Sequence, residues 1–300
     1  FGGILYGFSS AGSKGWNDPL VYGTLIIGTI GLIWFIVRQF RLKTPLLDFH
    51  TYKQPMFALS SVISAVISMA MFSGMILTPI YTQQIRGISP LDSGLLMLPG
   101  AIIMGIMSPI TGRLFDKYGA RALAVTGLSI MVVSTYFLTD LTFETSYMYL
   151  MVVYSIRMFG MSMVMMPIST NGLNQLPPGL YPHGTAINNT LQQVSGAIGT
   201  ALLVTIMNNR TESTAETLAE EAMSKAAASG TQPSAEAMAA MQNEIGMQAL
   251  LDGINYSFFI SMLIAIIPLV LSFFVKRARA PHSEVSKSEN ADKKGEIPAH

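Results

Sequence analysis

The chain of 300 residues contains no cysteine, which excludes disulfides and metal sites built on thiolates. Its four histidines, His50, His183, His282 and His300, are scattered, and the sequence has neither a zinc-binding spacing nor a glycine-rich phosphate loop. Charged residues are scarce at 12%, and the net charge is only +1. We therefore expect no enzyme activity, no metal ion and no cofactor, and no binding of nucleic acid, which requires a basic surface.

Long apolar runs dominate what is present. Half of the residues are hydrophobic and the mean hydropathy is +0.45, a balance that a soluble domain of this length does not keep in solution. A helix needs about 20 apolar residues to span a hydrocarbon core of roughly 30 Å. Seven runs approach this length: residues 21–37, 57–81, 94–111, 122–138, 147–168, 185–207 and 253–275. The sequence therefore predicts an all-α integral membrane protein with the lipid bilayer as its first partner.

Basic residues concentrate in alternate connections between these runs. The three groups are Arg38, Arg41, Lys43 and Lys53; Arg113, Lys117 and Arg121; and Lys276, Arg277 and Arg279. Because connections rich in Lys and Arg stay in the cytoplasm, we expect these three to be cytoplasmic. The acidic segment 208–250 is then extracytoplasmic, and its capping box of Ser213 and Glu216 predicts the start of a helix.

Arg157 lies within the run 147–168, about ten residues from its outer end and so near the bilayer midplane at about 1.5 Å per residue. A charge there costs roughly 2.5 kcal/mol or more, and the runs contain no Asp or Glu to pair with it. Two interpretations stay open: the guanidinium donates to backbone carbonyls at a contact between domains, or it lines a substrate cavity. Met161 lies on the same face and is a second cavity candidate, because flexible thioethers accept varied apolar shapes.

The run 185–207 is the most polar of the seven. Asn188, Asn189 and Gln192 fall within it, and Gly196 and Gly199 are expected on the same face as Asn189 and Gln192 at helical spacing. Amides at membrane depth bond either a substrate or a neighbouring helix, and glycines permit a close crossing. Cavity lining and helix packing therefore both remain open for the three amides.

A charged segment, GRLFDKYGAR at residues 112–121, separates two of the apolar runs and has a glycine near each end. We expect it to form a loop. Its spacing is Gly-x-x-x-Asp-[Arg/Lys]-x-Gly-x-[Arg/Lys], with Gly112, Asp116, Lys117, Gly119 and Arg121 in register. This pattern resembles the cytoplasmic loop signature of the major facilitator superfamily, with Lys117 in place of the usual Arg and Ala120 in place of a basic residue.

Two further segments extend the resemblance over nearly the whole chain. They are RMFGMSMVMMPIST at residues 157–170 and GTAINNTLQQVSGAIGTALL at residues 184–203, and both resemble the fourteen-helix drug:proton antiporters of the EmrB/QacA type. The resemblance implies a C-terminal six-helix bundle preceded by one and a half helices. Residues 1–54 are then the end of one severed membrane helix, one full helix and a cytoplasmic linker. Residues 55–279 form the bundle, with 208–250 as its extracytoplasmic loop, and 280–300 are a disordered cytoplasmic tail.

The resemblance also implies a function. Such a protein is a multi-pass transporter of the bacterial plasma membrane that expels amphipathic drug-like molecules in exchange for protons, driven by the proton-motive force. Its two bundles rock about a central site, and the loop signature stabilises one conformer with Asp116 as the acceptor. The missing N-terminal bundle is its structural partner, and proton carriage is expected there because no carboxylate lies within the runs.

A different class of protein remains an alternative. A half-sized or non-transporting membrane subunit that acts through a partner chain has the same apolar runs. A channel is disfavoured, because the sequence contains no repeated filter-like segment and no ring of charges.

Overall fold

The computed structural model describes residues 2–16, 18–42, 47–229 and 235–276, and within them every regular element is helical. The eight α-helices are α1 (Gly2–Lys14), α2 (Pro19–Arg41), α3 (Pro55–Ile80), α4 (Pro90–Tyr118), α5 (Ala120–Tyr136), α6 (Tyr147–Leu173), α7 (Tyr181–Ser229) and α8 (Ala235–Ser272). Six of them, all except α1 and α5, are long and apolar enough to cross a membrane, and α5 is a shorter apolar helix. The predicted all-α membrane fold is confirmed.

Helix starts follow ordinary capping chemistry. Proline occupies the first turn of α2, α3 and α4, where its missing N–H would have no partner in any case. Asp18, Ser89 and Ser146 cap α2, α4 and α6 by accepting a backbone N–H from the first turn. Asp48 caps the short 3-10 helix Phe49–Lys53 in the same way, and the backbone N–H of His50 holds the pKa of the Asp48 carboxyl below its usual value.

The helices pack so that α6 is held between α4 and α5, while α3 contacts α6, α7 and α8. Two apolar clusters form the core. One contains Ile67, Leu128 and Val164, and the other contains Leu96, Leu150 and Phe258. Helix α1 packs against both α2 and α7, and the indole Nε1 of Trp16 donates to Oγ1 of Thr205 at 2.8 Å.

Contacts between helix ends confirm the alternation that the basic residues predict. We call one end of the bundle the basic end. There, Nδ2 of Asn171 in the last turn of α6 donates to the carbonyl of Lys276 beyond α8. At the opposite end, the acidic end, the side chain of Asn255 bonds both backbone groups of Leu141. The start of α3 meets the same end of α6 at Ser60 and Gly172, and the end of α4 meets it at Gly112 and Met166. The described residues of the three basic groups therefore share this end, while Lys43, Arg277 and Arg279 lie outside the described residues.

Three predicted boundaries are wrong. The segment 112–121 is not a loop, because α4 continues to Tyr118 and α5 begins at Ala120. No helix starts at Ser213: α7 runs through it, since the alanine-rich sequence contains no breaker before Gly230. The end of the severed membrane helix is expected at the apolar residues 1–8, whereas α1 continues to Lys14.

Candidate functional site

Arg157 lies inside the helix bundle and is only 2% exposed. Its Nη2 donates to the backbone carbonyl of Ala70 in α3 at 2.6 Å, and its Nε donates to Oγ1 of Thr135 in α5 at 3.3 Å. The guanidinium therefore connects α6 to two neighbouring helices. Its Nη1 has no hydrogen-bond partner among the described residues.

Gly74 makes this position possible. A Cβ atom at residue 74 would overlap Nη1 and Cζ of Arg157, so any side chain there displaces the guanidinium. The absence of a side chain on α3 is thus the local feature that admits the charge. Helices in membranes use small residues in this way to approach a neighbour closely.

Arg157 and Met161, the two candidates on this face of α6, are both buried in the bundle. Arg157 makes the carbonyl bond of the first interpretation, although the contact joins helices of one bundle. Met161 is 2% exposed and packs in the core with Leu128 and Val164. In this conformation neither side chain is open to solvent.

Two of the predicted amides converge on one serine. Nδ2 of Asn188 donates to Oγ of Ser169 at 3.1 Å, and Nε2 of Gln192 lies 3.5 Å from the same oxygen. Asn188 is buried at 6% exposure, while Gln192 is half-buried. This cluster joins α6 and α7, which otherwise have little contact.

The third amide, Asn189, is exposed, and so are Thr185 and Gln193 one turn before and after it. The sequence predicts that Asn189 shares one face of α7 with Gly196 and Gly199. In the structure α3 covers the two glycines and leaves Asn189 uncovered. A Cβ at Gly199 would lie 2.5 Å from Cα of Met69. The face therefore has a packed part and an open polar part, and the open part adjoins the Ser169 cluster.

Arg157 and the amides do not form one constellation. Ser169 lies twelve positions after Arg157 on α6, which is about 18 Å along the helix axis. A groove of about 540 Å³ between α4 and α6 is nearer to Arg157, but its walls are apolar and include Pro99, Val152 and Phe159. None of the predicted site residues lines this groove. The described residues also contain no cluster of His, Asp and Glu that fits a metal ion.

The loop signature forms a turn with a single residue between two helices. Gly119 has φ of 82°, and its N–H donates to the carbonyl of Phe115 at 2.8 Å. Asp116 and Lys117 lie in the last turn of α4, Arg121 lies in the first turn of α5, and all three are exposed at the basic end. Lys117 is favourably placed, because the C-terminus of a helix attracts positive charge.

Sequence reasoning missed the partners Ser169, Thr135 and Ala70. Ser169 is the last residue but one of the segment 157–170 that resembles known transporters, and its position opposite the amides follows only from how α6 crosses α7. Ala70 contributes a backbone carbonyl, which leaves no trace in a sequence. Helix register, rather than residue type, decides these contacts.

A family model described as Major Facilitator Superfamily matches residues 1–200. The Bacillus subtilis protein named Uncharacterized MFS-type transporter YhcA is 56% identical over 211 residues, which cover 70% of this chain and 40% of the relative. The Lincomycin resistance protein LmrB of Listeria monocytogenes is 44% identical over 279 residues, 93% of this chain and 55% of the relative. The chain thus spans about half the length of the curated relatives it matches.

A solved structure shares the fold. It is the crystal structure of a bacterial homologue of the human lysosomal transporter Spinster, in an inward-facing and unoccupied conformation. The TM-score is 0.56 at 14% sequence identity, and the match covers 92% of this chain and 64% of that one.

Proposed function

Since the chain belongs to the major facilitator superfamily, we propose that it is the C-terminal portion of a fourteen-helix drug:proton antiporter of the EmrB/QacA type. The whole protein expels amphipathic drug-like molecules across the bacterial plasma membrane. Protons that move inward along the proton-motive force supply the energy, and no cofactor takes part. The N-terminal bundle that completes the transport site is the partner of the helices described above.

The polar patch on α6 and α7 carries this proposal. Asn188 and Gln192 meet at Ser169, and the exposed Thr185, Asn189 and Gln193 continue the patch along α7. A surface of amide and hydroxyl groups on helices that also carry apolar side chains suits ligands with both polar and apolar parts. Lincomycin resistance in the name of one relative agrees with a substrate of this kind.

The remaining candidates have supporting roles in the proposal. Arg157 holds α3, α5 and α6 together, so the bundle moves as one body, and Met161 belongs to its core. The signature residues Gly112, Asp116, Lys117, Gly119 and Arg121 form the contact at the basic end that stabilises one conformer. Asp116 is the acceptor in this contact, which opens and closes as the bundles rock.

Drug efflux by the complete protein tests the proposal. Asn189→Ala removes an exposed amide that has no packing role, so we expect reduced lincomycin and ethidium efflux from cells at unchanged membrane abundance. Leu202→Ala on the same helix, 38% exposed and apolar, serves as the control and should leave efflux unchanged. Dissipation of the proton gradient should abolish the efflux that remains in both variants. Normal efflux in Asn189→Ala would exclude this patch as the substrate site.

The coding sequence upstream of Phe1 tests the position of the chain in its protein. We expect it to encode a second bundle that includes another copy of the loop signature and a membrane carboxylate. A start codon directly before Phe1 would instead favour the alternative, a half-sized or non-transporting subunit that acts with a partner chain.

A further inference from the structure

The charge of Arg157 is incompletely compensated within the bundle. Hydrogen bonds to Ala70 and Thr135 use one N–H of Nη2 and the N–H of Nε, and both acceptors are neutral. None of its bonds to the described residues goes to a carboxylate. A guanidinium has five N–H donors, and burial of a charge without an opposite charge or full hydrogen bonding is costly.

A second buried polar atom without a partner lies on the face of α3 that Arg157 contacts. Thr78 is 3% exposed, and its Oγ1 has no hydrogen-bond partner among the described residues. Thr78 follows Gly74 by four residues on α3, and side chains four residues apart on a helix lie about 5–6 Å from each other on one face. Because Gly74 faces Nη1 of Arg157, Thr78 is placed one helical turn further along the same face of α3.

The two atoms together are suited to an anion. Nη1 and the hydroxyl are both hydrogen-bond donors, and the positive charge requires a negative counterpart in a region of low dielectric constant. A water molecule would satisfy hydrogen bonds but would leave the charge. We propose that Arg157 and Thr78 bind a chloride ion between α3 and α6, a site that depends on the membrane fold alone and not on drug transport.

Thermal unfolding of the complete protein in detergent tests this site. At equal ionic strength, replacing gluconate by chloride should raise the unfolding temperature by several degrees, because an ion that binds only the folded state stabilises it. Thr78→Val keeps the side-chain shape and removes the hydroxyl, so the response to chloride should shrink by more than half. The difference between the two anions is measured within each variant, so a change in basal stability does not affect it.

Thr111→Val is the matched control. Thr111 is fully buried and its Oγ1 also lacks a partner among the described residues, but it lies on α4 away from the guanidinium. This variant should keep the full chloride response. Equal unfolding temperatures of the unaltered protein in chloride and gluconate would overturn the proposal, and so would an undiminished chloride response in Thr78→Val.

Crystals grown in bromide provide an independent test of the position. An anomalous peak within hydrogen-bond distance of Nη1 of Arg157 is expected. A peak elsewhere in the protein, or an ordered water molecule at this position without anomalous signal, would overturn the assignment.

Discussion

At the scale of single residues, Gly74 and Arg157 depend on each other. The guanidinium occupies the volume that a side chain on residue 74 would take, and its bond to the Ala70 carbonyl requires α3 to stay close to α6. An alanine at this position forces either the guanidinium or the helix to move. Overpacking of this kind typically costs about 1–3 kcal/mol.

We therefore expect Gly74→Ala to lower the unfolding temperature of the protein in detergent. Gly105→Ala is the control, because a Cβ at residue 105 of α4 meets nothing within 4 Å. In an Arg157→Met background the loss caused by Gly74→Ala should shrink, which a double-mutant cycle measures. Equal losses in both backgrounds would mean that the two residues are not coupled.

The sequence alone predicts part of this arrangement. An arginine in an apolar run must be buried against protein, because a charge exposed to lipid is costly. The identity of its partners depends on contacts between α6 and residues more than eighty positions earlier in α3. Asn189 illustrates the same limit, because its spacing from Gly196 does not reveal where α3 stops covering α7.

At the scale of helices, the turn between α4 and α5 consists of Gly119 alone. Its φ of 82° and ψ of 168° lie in a region that only glycine adopts readily, and other residues are strained there by about 1–3 kcal/mol. The sequence pattern includes both signature glycines, Gly112 and Gly119. It did not separate them, since Gly112 lies within helix α4 and has no such requirement.

Gly119→Ala and Gly112→Ala should accordingly differ. We expect Gly119→Ala to lower the unfolding temperature, because the new side chain opposes the turn. Gly112→Ala should leave it unchanged or raise it slightly, since alanine favours the helix and its Cβ would meet Met166 at an ordinary 3.4 Å. The same loss in both variants would contradict the geometry of the turn.

Helices α7 and α8 make both polar and steric contacts near the acidic end. Nε of Arg210 and Oγ1 of Thr214 both donate to Oδ2 of Asp252 at 2.7 Å. The side chains of the ion pair are 47% and 39% exposed, so the pair contributes only about 0.2–1 kcal/mol. The adjacent Gly253 packs directly on α7, where a Cβ would lie 2.7 Å from the carbonyl oxygen of Met207.

Steric contact should therefore matter more than charge at this crossing. We expect Asp252→Asn to change the unfolding temperature little. It should also remove the salt dependence that the ion pair with Arg210 gives to the unfolding temperature. Gly253→Val should lower the unfolding temperature strongly by separating the helices. Hydrogen exchange in residues 208–229 would report the separation directly, and protection equal to that of the unaltered protein would exclude it.

At the scale of the whole molecule, the proposed transport cycle depends on Asp116. In the complete protein we expect Asp116→Asn to slow drug efflux several-fold without loss of drug binding, because the neutral amide weakens the contact that stabilises one conformer. Glu144→Gln, which changes an exposed carboxylate at the opposite end, is the control. Efflux and binding are measured separately in membrane vesicles, and a normal efflux rate for Asp116→Asn would exclude it from the cycle.

Family and architecture were predictable at this scale because they follow from apolar length, the alternation of basic residues and the spacing of one signature. Helix ends were less predictable. Charged residues resemble a connection, yet α4 and α7 continue through them, because residues 112–118 and 208–229 contain neither proline nor a glycine with positive φ.

The packing of α3 has a consequence for the synthesis of the protein. Ser60, Ser64 and Ser68 are buried in the finished bundle, where α3 contacts α6, α7 and α8. The ribosome makes α7 more than a hundred residues after α3 begins, which at about 5–20 residues per second is a delay on the order of ten seconds. During this interval the serine-bearing helix must wait in the lipid, or beside the insertion machinery, until its main partner emerges.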